Sequence, residues 1–373
     1  MLWRRSVKFF LVAGERSGDL HGSRIVEELR KQFPGASFQG WGGDRMVQAG
    51  VTLKKHYRDT ATMGFLEVLK KLSYFKALIQ ECKDHIGSFQ PDAVVFIDFG
   101  AFNLRVAPQV KALQIPIFYF ITPKVWAWNR KRAYKLQNLT DHRLVILPFE
   151  VDFFRERNIE ATYVGNPLTE RIHNFLPNTT FREQNSLDDR PIMALLPGSR
   201  KQEVNRILPV LLEIIDSEPD FQWVLSGVRN LPESLYQKAI DKKVPIVWED
   251  SYNLLAHAHT AIVASGTATL ETALFNIPQV VVYRTSALSA WVVRLVIKIP
   301  FVSLPNLIAG REVIPEQLQG NCTSTKVLEK FWVLQREEGR KHQMDGYQEI
   351  QDKLGKKDTP SEVATYIATT LKA

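Results

Sequence analysis

Short apolar runs that stop at a glycine, serine or carboxylate and give way to a helical pattern recur along the chain. This alternation constrains the fold more than any other feature. Its sharpest instance is Ala261–Glu271, AIVASGTATLE, where small and β-branched residues end at Ser265-Gly266-Thr267 and a helical pattern begins. The stretch reads as a buried parallel strand, a tight turn and a helix. Such a turn aims free backbone N–H groups and the positive end of a helix dipole at one point, which suits a phosphate. Glu271 stands about one helical turn past Thr267, within reach of ribose hydroxyls beside a diphosphate. An ordinary β–α turn with a capping Thr is the plainer reading of the same residues.

The first half is expected to form strands at Phe9–Ala13, Phe38–Trp41, Pro91–Ile97, Ile115–Phe120 and Leu144–Leu147. The second half repeats the pattern at Ile192–Leu196, Trp223–Ser226, Pro245–Trp248, Thr260–Ala264 and Gln279–Tyr283. Strand–helix alternation of this kind predicts parallel sheets with helices on both faces. Residues Pro167–Arg190 lack strand pattern and are rich in Asn, Asp and Thr, and 373 residues exceed what one core ordinarily holds. The expected architecture is α/β, two doubly wound Rossmann-like domains facing across a cleft. Residues 1–170 form the first and 171–340 the second, and polar helices at 341–373 are able to pack back on the first domain.

A net charge of +8 favours an anionic partner. The charge is spread along the chain, so nucleic acid is not expected. Cys82 and Cys322 make neither a disulfide framework nor a zinc pattern. His257 and His259 lack companion ligands and read as structural. The N-terminal MLWRRSVKFFLVAG carries too short an apolar run for a signal peptide and reads as a first strand. No run reaches the about 18–20 apolar residues of a membrane span. No Asp-x-Asp occurs, so a metal-bridged diphosphate site lacks its usual mark, and no metal or other cofactor is expected.

Ligands of such sheets lie beyond the carboxyl ends of the strands. Gly14, Glu15, Ser17, Gly18 and Asp19 fall there, in a glycine-bearing loop that matches neither dinucleotide nor P-loop spacing. Asp98 ends the Pro91–Ile97 strand beside aromatics; it is either a general base of raised pKa or a helix N-cap. Trp126, Trp128 and Arg130 combine rings with a basic run. Ser199, Arg200 and Glu203 follow the first strand of the second half, where a guanidinium beside free N–H groups can fork a phosphate. Asn306 and Arg311 sit in a further turn. Phe65, Leu66, Val68, Leu69, Leu72 and Phe75 lie along much of one helix beside two lysines, and Ala287–Phe301 mixes apolar residues with Arg294 and Lys298. Apolar faces of this kind suit either the core or an anionic membrane surface.

VAGERSGD (Val12–Asp19), MGFLEVL (Met63–Leu69), FIDFGAFN (Phe96–Asn103), VWAW (Val125–Trp128), LPFE (Leu147–Glu150), LPGSRKQE (Leu196–Glu203), SGTATLE (Ser265–Glu271) and SLPNLIAGRE (Ser303–Glu312) occur in this order. With these motifs the chain resembles the lipid-A-disaccharide synthases, metal-independent glycosyltransferases of the GT-B fold. It departs from their pattern at Lys124 and Asn166. The resemblance implies UDP-2,3-diacylglucosamine as donor, 2,3-diacylglucosamine 1-phosphate as acceptor, and a β-1,6-linked product formed with inversion. It implies Asp98 as base and donor contacts from Ser199, Arg200, Glu203, Ser265, Gly266, Thr267, Glu271, Asn306 and Arg311. Acceptor contacts are expected from Gly14, Glu15, Ser17, Gly18, Asp19, Trp126, Trp128 and Arg130. It further implies a cytoplasmic enzyme held peripherally at the inner membrane, with a homodimer allowed. Two competing functions are a sugar-nucleotide 2-epimerase of the same fold and a non-catalytic basic binding module.

Overall fold

Strands whose side chains are apolar on both faces must be covered on both, and each sheet of this protein is. The structure, a computed structural model, describes residues 6–61, 68–128, 131–218, 220–286 and 300–372, with the backbone alone at 60, 61, 68–72 and 128. The chain divides into two units, Met1–Pro167 with Lys356–Ala373, and Leu168–Gly355.

In the first unit, β1 (Lys8–Ala13), β2 (Ser37–Gly42), β3 (Thr52–His56), β4 (Ala93–Ile97), β5 (Ile117–Phe120), β6 (His142–Val145) and β7 (Thr162–Tyr163) form a parallel sheet of order β3-β2-β1-β4-β5-β6-β7. Phe9, Leu11, Val95 and Ile97 enter the core on one face. Phe10, Val12, Val94 and Phe96 enter the core on the other. This double burial is why the strands read as unbroken apolar runs. Helix Thr359–Lys372 completes the first face, inserting Val363, Ala364, Ile367 and Ala368 among Ile25, Val26 and Leu29 of helix Arg16–Gln32. The preceding helix, Glu337–Leu354, stays with the second unit.

The second unit carries β8 (Ile192–Leu196), β9 (Gln222–Gly227), β10 (Ile246–Trp248), β11 (Ala258–Ala264), β12 (Gln279–Tyr283) and β13 (Glu316–Leu318), in the order β10-β9-β8-β11-β12-β13. Met193, Leu195, Ile262 and Ala264 line one core, Ala194, Leu196, Ala261 and Val263 the other. A buried amide clasp holds helix Glu337–Leu354 to the start of β12. Gln279 N–H donates to Gln343 Oε1 at 2.9 Å, and Gln343 Nε2 returns a bond to the Gln279 carbonyl at 2.9 Å. Gln279 Nε2 also donates to the Thr269 carbonyl at 2.9 Å, so the same clasp steadies helix Thr267–Leu274.

The order reverses between β1 and β4 in the first sheet and between β8 and β11 in the second. Crevices open at such points, beyond the carboxyl ends of the strands. Two sequence expectations shift. The strand expected at Leu144–Leu147 lies at His142–Val145, and Leu147 instead precedes helix Pro148–Arg155, whose proline sets its start. The loop expected at Gly14–Asp19 is mostly helix, because the helix already begins at Arg16.

Candidate active site

At the β1/β4 switch point the chain makes a strained turn that holds Asp98 out. Asp98 and Phe99 both take left-handed backbone, with φ of 47° and 50°. This is a costly conformation for a phenylalanine and persists only when its surroundings enforce it. They do so here. Asp98 N–H donates to the Phe120 carbonyl at 2.9 Å. The Asp98 carbonyl accepts from Tyr119 Oη at 2.7 Å and Asn103 Nδ2 at 2.8 Å. The Phe99 ring stacks on Phe102 at 4.9 Å. A Cβ on Gly14 would stand 2.4 Å from that ring, so only glycine fits at the end of β1. Phe99, not Asp98, takes the N-cap position of helix Gly100–Ala112, and no side chain caps it. The N-cap reading of Asp98 therefore falls.

The Asp98 side chain reaches solvent. Desolvation by the surrounding protein raises its pKa, against the lowering pull of the Lys124 ammonium and the Phe99 N–H. Glu15 is raised too, first by burial and then by the Asp98 charge, which places the two carboxylates close enough to interact.

Asp19 differs from expectation. It is buried, and its carboxylate accepts from the backbone N–H groups of Gly43 at 2.8 Å, Arg45 at 3.2 Å and Met46 at 3.0 Å. Its carboxylate builds the turn after β2 and is not held out for a ligand. Gly18 and Gly22 likewise serve packing. A Cβ on Gly18 would lie 3.1 Å from Ala13 Cβ, and one on Gly22 2.7 Å from Met46 Sδ. Ser17 is exposed on the helix. Trp126 is buried and donates its indole N–H to Glu150 Oε1 at 3.0 Å. Arg130 and the Trp128 side chain lie outside the described residues. So do Phe65, Leu66 and residues 287–299, along with the side chains of Val68, Leu69 and Leu72. Phe75 is half-buried, edge-on to Phe102 at 5.9 Å with the Arg105 guanidinium 5.3 Å over its ring.

At the β8/β11 switch point, Gly266 caps helix Thr267–Leu274, and Gly266 and Thr267 are exposed. Among the described residues a Cβ on Gly266 would meet nothing within 4 Å, so none of them closes the helix start. Ser265 Oγ donates to the Val302 carbonyl at 2.9 Å, which ties this turn to the next one. Glu271 is mostly withdrawn from water. Burial raises its pKa, and the Tyr252 hydroxyl, donating to Oε1 at 3.0 Å, and the Arg171 charge oppose the rise. Arg171 lies 4.7 Å over the Tyr252 ring. Neither residue carries a motif in the sequence, and only the fold brings them to Glu271.

The remaining expected donor contacts also have internal partners. Glu203 Oε2 accepts from the Ser199 and Arg200 N–H groups, both at 3.3 Å, and Oε1 accepts from Arg200 Nη1 at 2.9 Å. Glu203 thus shapes the turn, and a Cβ on Gly198, at φ 104°, would stand 2.5 Å from it. The Arg200 side chain stays 82% exposed. Asn306 is fully buried and spends its whole amide. Nδ2 donates to the Ile314 carbonyl at 2.8 Å and to Glu316 Oε1 at 3.0 Å. Oδ1 accepts from the N–H groups of Val313 at 2.8 Å and Ile314 at 2.9 Å. Asn306 is thus a staple of the fold. Arg311 pairs with Glu349 at 2.7 Å. Glu316, which no sequence signal marks, accepts from Val302 N–H, Ser303 N–H, Ser303 Oγ and Asn306, and so fixes the turn that meets Ser265.

Residues 9–368 match the family model described as lipid-A-disaccharide synthetase. The chain is 37% identical over 368 residues to the lipid-A-disaccharide synthase of Myxococcus xanthus (strain DK1622), covering 96% of each chain. It is 36% identical over 372 residues to that of Syntrophus aciditrophicus (strain SB), covering 97% of each. Among solved structures, the UDP-GlcNAc 2-epimerase of Neisseria meningitidis bound to UDP-GlcNAc has a TM-score of 0.60 at 14% identity, covering 98% of this chain and 100% of that one. The glycotransferase of kitacinnamycin gives 0.62 at 13%, with 98% and 100% covered. These likenesses establish the fold, two parallel-sheet Rossmann-like domains of the GT-B class. At such identities the epimerases are neighbours in fold alone.

Proposed function

Because the chain belongs to the lipid-A-disaccharide synthase family, glycosyltransferases that make the lipid A disaccharide, we propose the following reaction for it. UDP-2,3-diacylglucosamine gives its sugar to the primary hydroxyl of 2,3-diacylglucosamine 1-phosphate. The products are the β-1,6-linked disaccharide 1-phosphate and UDP. The acceptor binds at the carboxyl edge of the first sheet and the donor at that of the second.

The observation that carries this reading is Asp98, a solvent-reaching carboxylate of raised pKa on a rigid turn at a sheet switch point. Asp98 takes the hydroxyl proton while the hydroxyl oxygen bonds to the donor's anomeric carbon. The bond from that carbon to the diphosphate oxygen breaks, its electron pair leaves with UDP, and a single displacement inverts the centre. A base of raised pKa accepts the proton more readily than a solvated aspartate. The open helix start at Gly266-Thr267 and the Arg200 guanidinium stabilise the departing charge. Glu271 holds the ribose.

Purified protein incubated with both acylated substrates and a chelator is expected to release UDP and disaccharide. Asp98→Asn should lower turnover on the order of 10²–10⁴-fold. Turnover near wild type in that variant removes Asp98 from the role. Among the described residues no helix is long and apolar enough to cross a membrane. Attachment to an anionic bilayer is ascribed to the Phe65–Phe75 stretch of the sequence and the basic charge. Leu69→Glu should therefore weaken sedimentation with anionic vesicles, and unchanged partition would refute the assignment.

A further inference from the structure

The β1–β3 side of the first sheet's ligand edge holds arginines that the reading above leaves without a task. Arg16 opens the helix after β1, Arg45 lies in helix Asp44–Gln48 after β2, and Arg58 follows β3. With Asp19, Asp44 and Tyr57 they line one open pocket of about 620 Å³, a volume ordinary for small-molecule sites.

The balance of charge in this pocket is decided by which groups are already engaged. The Asp19 carboxylate is consumed by three backbone N–H groups. Asp44 faces Arg58 at 3.3 Å and His56 at 3.5 Å. Arg16 and Arg45 are exposed, and their guanidinium groups have no hydrogen-bond or ion-pair partner among the described residues. Two forks of fixed positive charge therefore point into a crevice at the ligand end of the sheet. A planar guanidinium matches two oxygens of a phosphate, and two of them suit a dianion better than any neutral sugar group.

Position adds a second constraint. Glu15, which interacts with Asp98, immediately precedes Arg16. In the order β3-β2-β1-β4, Arg45 follows a strand two places from the one that ends at Asp98. Adjacent strands lie about 5 Å apart, so the offset is about 10 Å. One pyranose ring, with an exocyclic hydroxymethyl at one end and an anomeric phosphate at the other, can bridge such a gap.

We propose that the pocket of Arg16, Arg45 and Arg58 binds the phosphomonoester of the acceptor sugar and so directs its primary hydroxyl to Asp98. The inference rests on the transferase reading above. It assigns the acceptor's phosphate a place that reading does not specify.

The test compares kcat/KM for the acceptor with and without its 1-phosphate, in neutral detergent micelles that hold no anionic lipid. Wild type is expected to prefer the phosphorylated acceptor. Arg16→Ala and Arg45→Ala should each cut that preference about tenfold or more, chiefly through KM, with Arg45→Lys restoring part of it. Both side chains are exposed, so the variants should fold, and matching thermal unfolding curves check this. Unchanged preference in both variants overturns the proposal, as does the absence of any preference in wild type. If Arg45→Ala loses binding to anionic vesicles while its preference stays intact, the pocket serves a lipid headgroup instead and the proposal falls. If wild type forms no disaccharide from either acceptor, the functional reading itself fails and takes this proposal with it.

Discussion

Glu150 offers a perturbation whose size follows from its surroundings. Its carboxylate is buried, with Oε1 accepting from Trp126 Nε1 at 3.0 Å and Oε2 from Leu147 N–H at 3.0 Å. Burial pushes its pKa from 4.5 up to about 7, outweighing those hydrogen bonds and the Lys124 charge, which act the other way. Between these two values the folded protein binds the proton and the unfolded chain does not. Stability therefore falls as pH rises through about 4.5 to 7 and levels off above, the opposite of a salt-bridged carboxylate. At about 1.4 kcal/mol per pH unit the whole contribution is about 3 kcal/mol, of which about 2 kcal/mol falls between pH 5 and 8. Glu150→Gln removes the titration but turns an NH₂ toward one of two N–H donors, a loss of about 1–3 kcal/mol that does not vary with pH. The variant should be the less stable protein at pH 5 and should recover by about 2 kcal/mol relative to wild type by pH 8. Urea denaturation of both proteins at pH 5, 6, 7 and 8 measures this, because other titrating groups cancel in the difference. A difference that stays constant across the series refutes the reasoning.

The raised pKa of Asp98 predicts that the acid limb of kcat/KM lies above the ordinary aspartate value of 3.8, with rate gained as pH rises through it; the Asp98→Asn variant should lose the limb, and a limb unchanged in that variant assigns it elsewhere. Asn306→Ala leaves two backbone N–H groups, a carbonyl and one Glu316 contact unmet, and should cost about 3 kcal/mol or more in a denaturation experiment. Were Asn306 chiefly a donor contact, the loss would appear in the donor KM with stability intact. Asp19→Ala strips three N–H groups of their acceptor and should destabilise the protein by about 2–4 kcal/mol, with a shift below about 0.5 kcal/mol arguing against the structural role.

Central strands such as β1 and β8 are legible in the sequence because burial on both faces leaves a continuous apolar run. Phe9–Ala13 and Ile192–Leu196 need no other signal. Three of the four edge strands are not. β3 reads TLKKH and is only half-buried, β7 has two residues, and β13 reads EQL. An edge strand has a neighbour on one side only, and these three lack a continuous apolar run. They are silent for the reason that central strands are loud. Glu316 and Tyr252 are hidden for another reason, because each acts through partners that only the fold brings beside it.

Position at a strand's carboxyl end locates the ligand edge, but it does not say which polar residues there bind and which build. Hydrogen-bond capacity already spent inside the protein decides that. The Asn306 side chain has no lone pair or N–H to offer, and freeing it would abandon four bonds at a fully buried position. Asp19 stands in the same position with its three N–H donors. Arg200 also has a partner, Glu203, but its side chain is 82% exposed. Exposed pairs are worth about 0–1 kcal/mol, and a charge-assisted bond to a diphosphate oxygen is worth about 1.5–3 kcal/mol. Exchange of Glu203 for the ligand is therefore downhill. Glu203 keeps its two backbone N–H groups when Arg200 leaves, so the turn survives the swing. The pairings thus give Asn306 a structural role and leave Arg200 free to exchange its partner for a ligand, and burial separates the two residues in this respect.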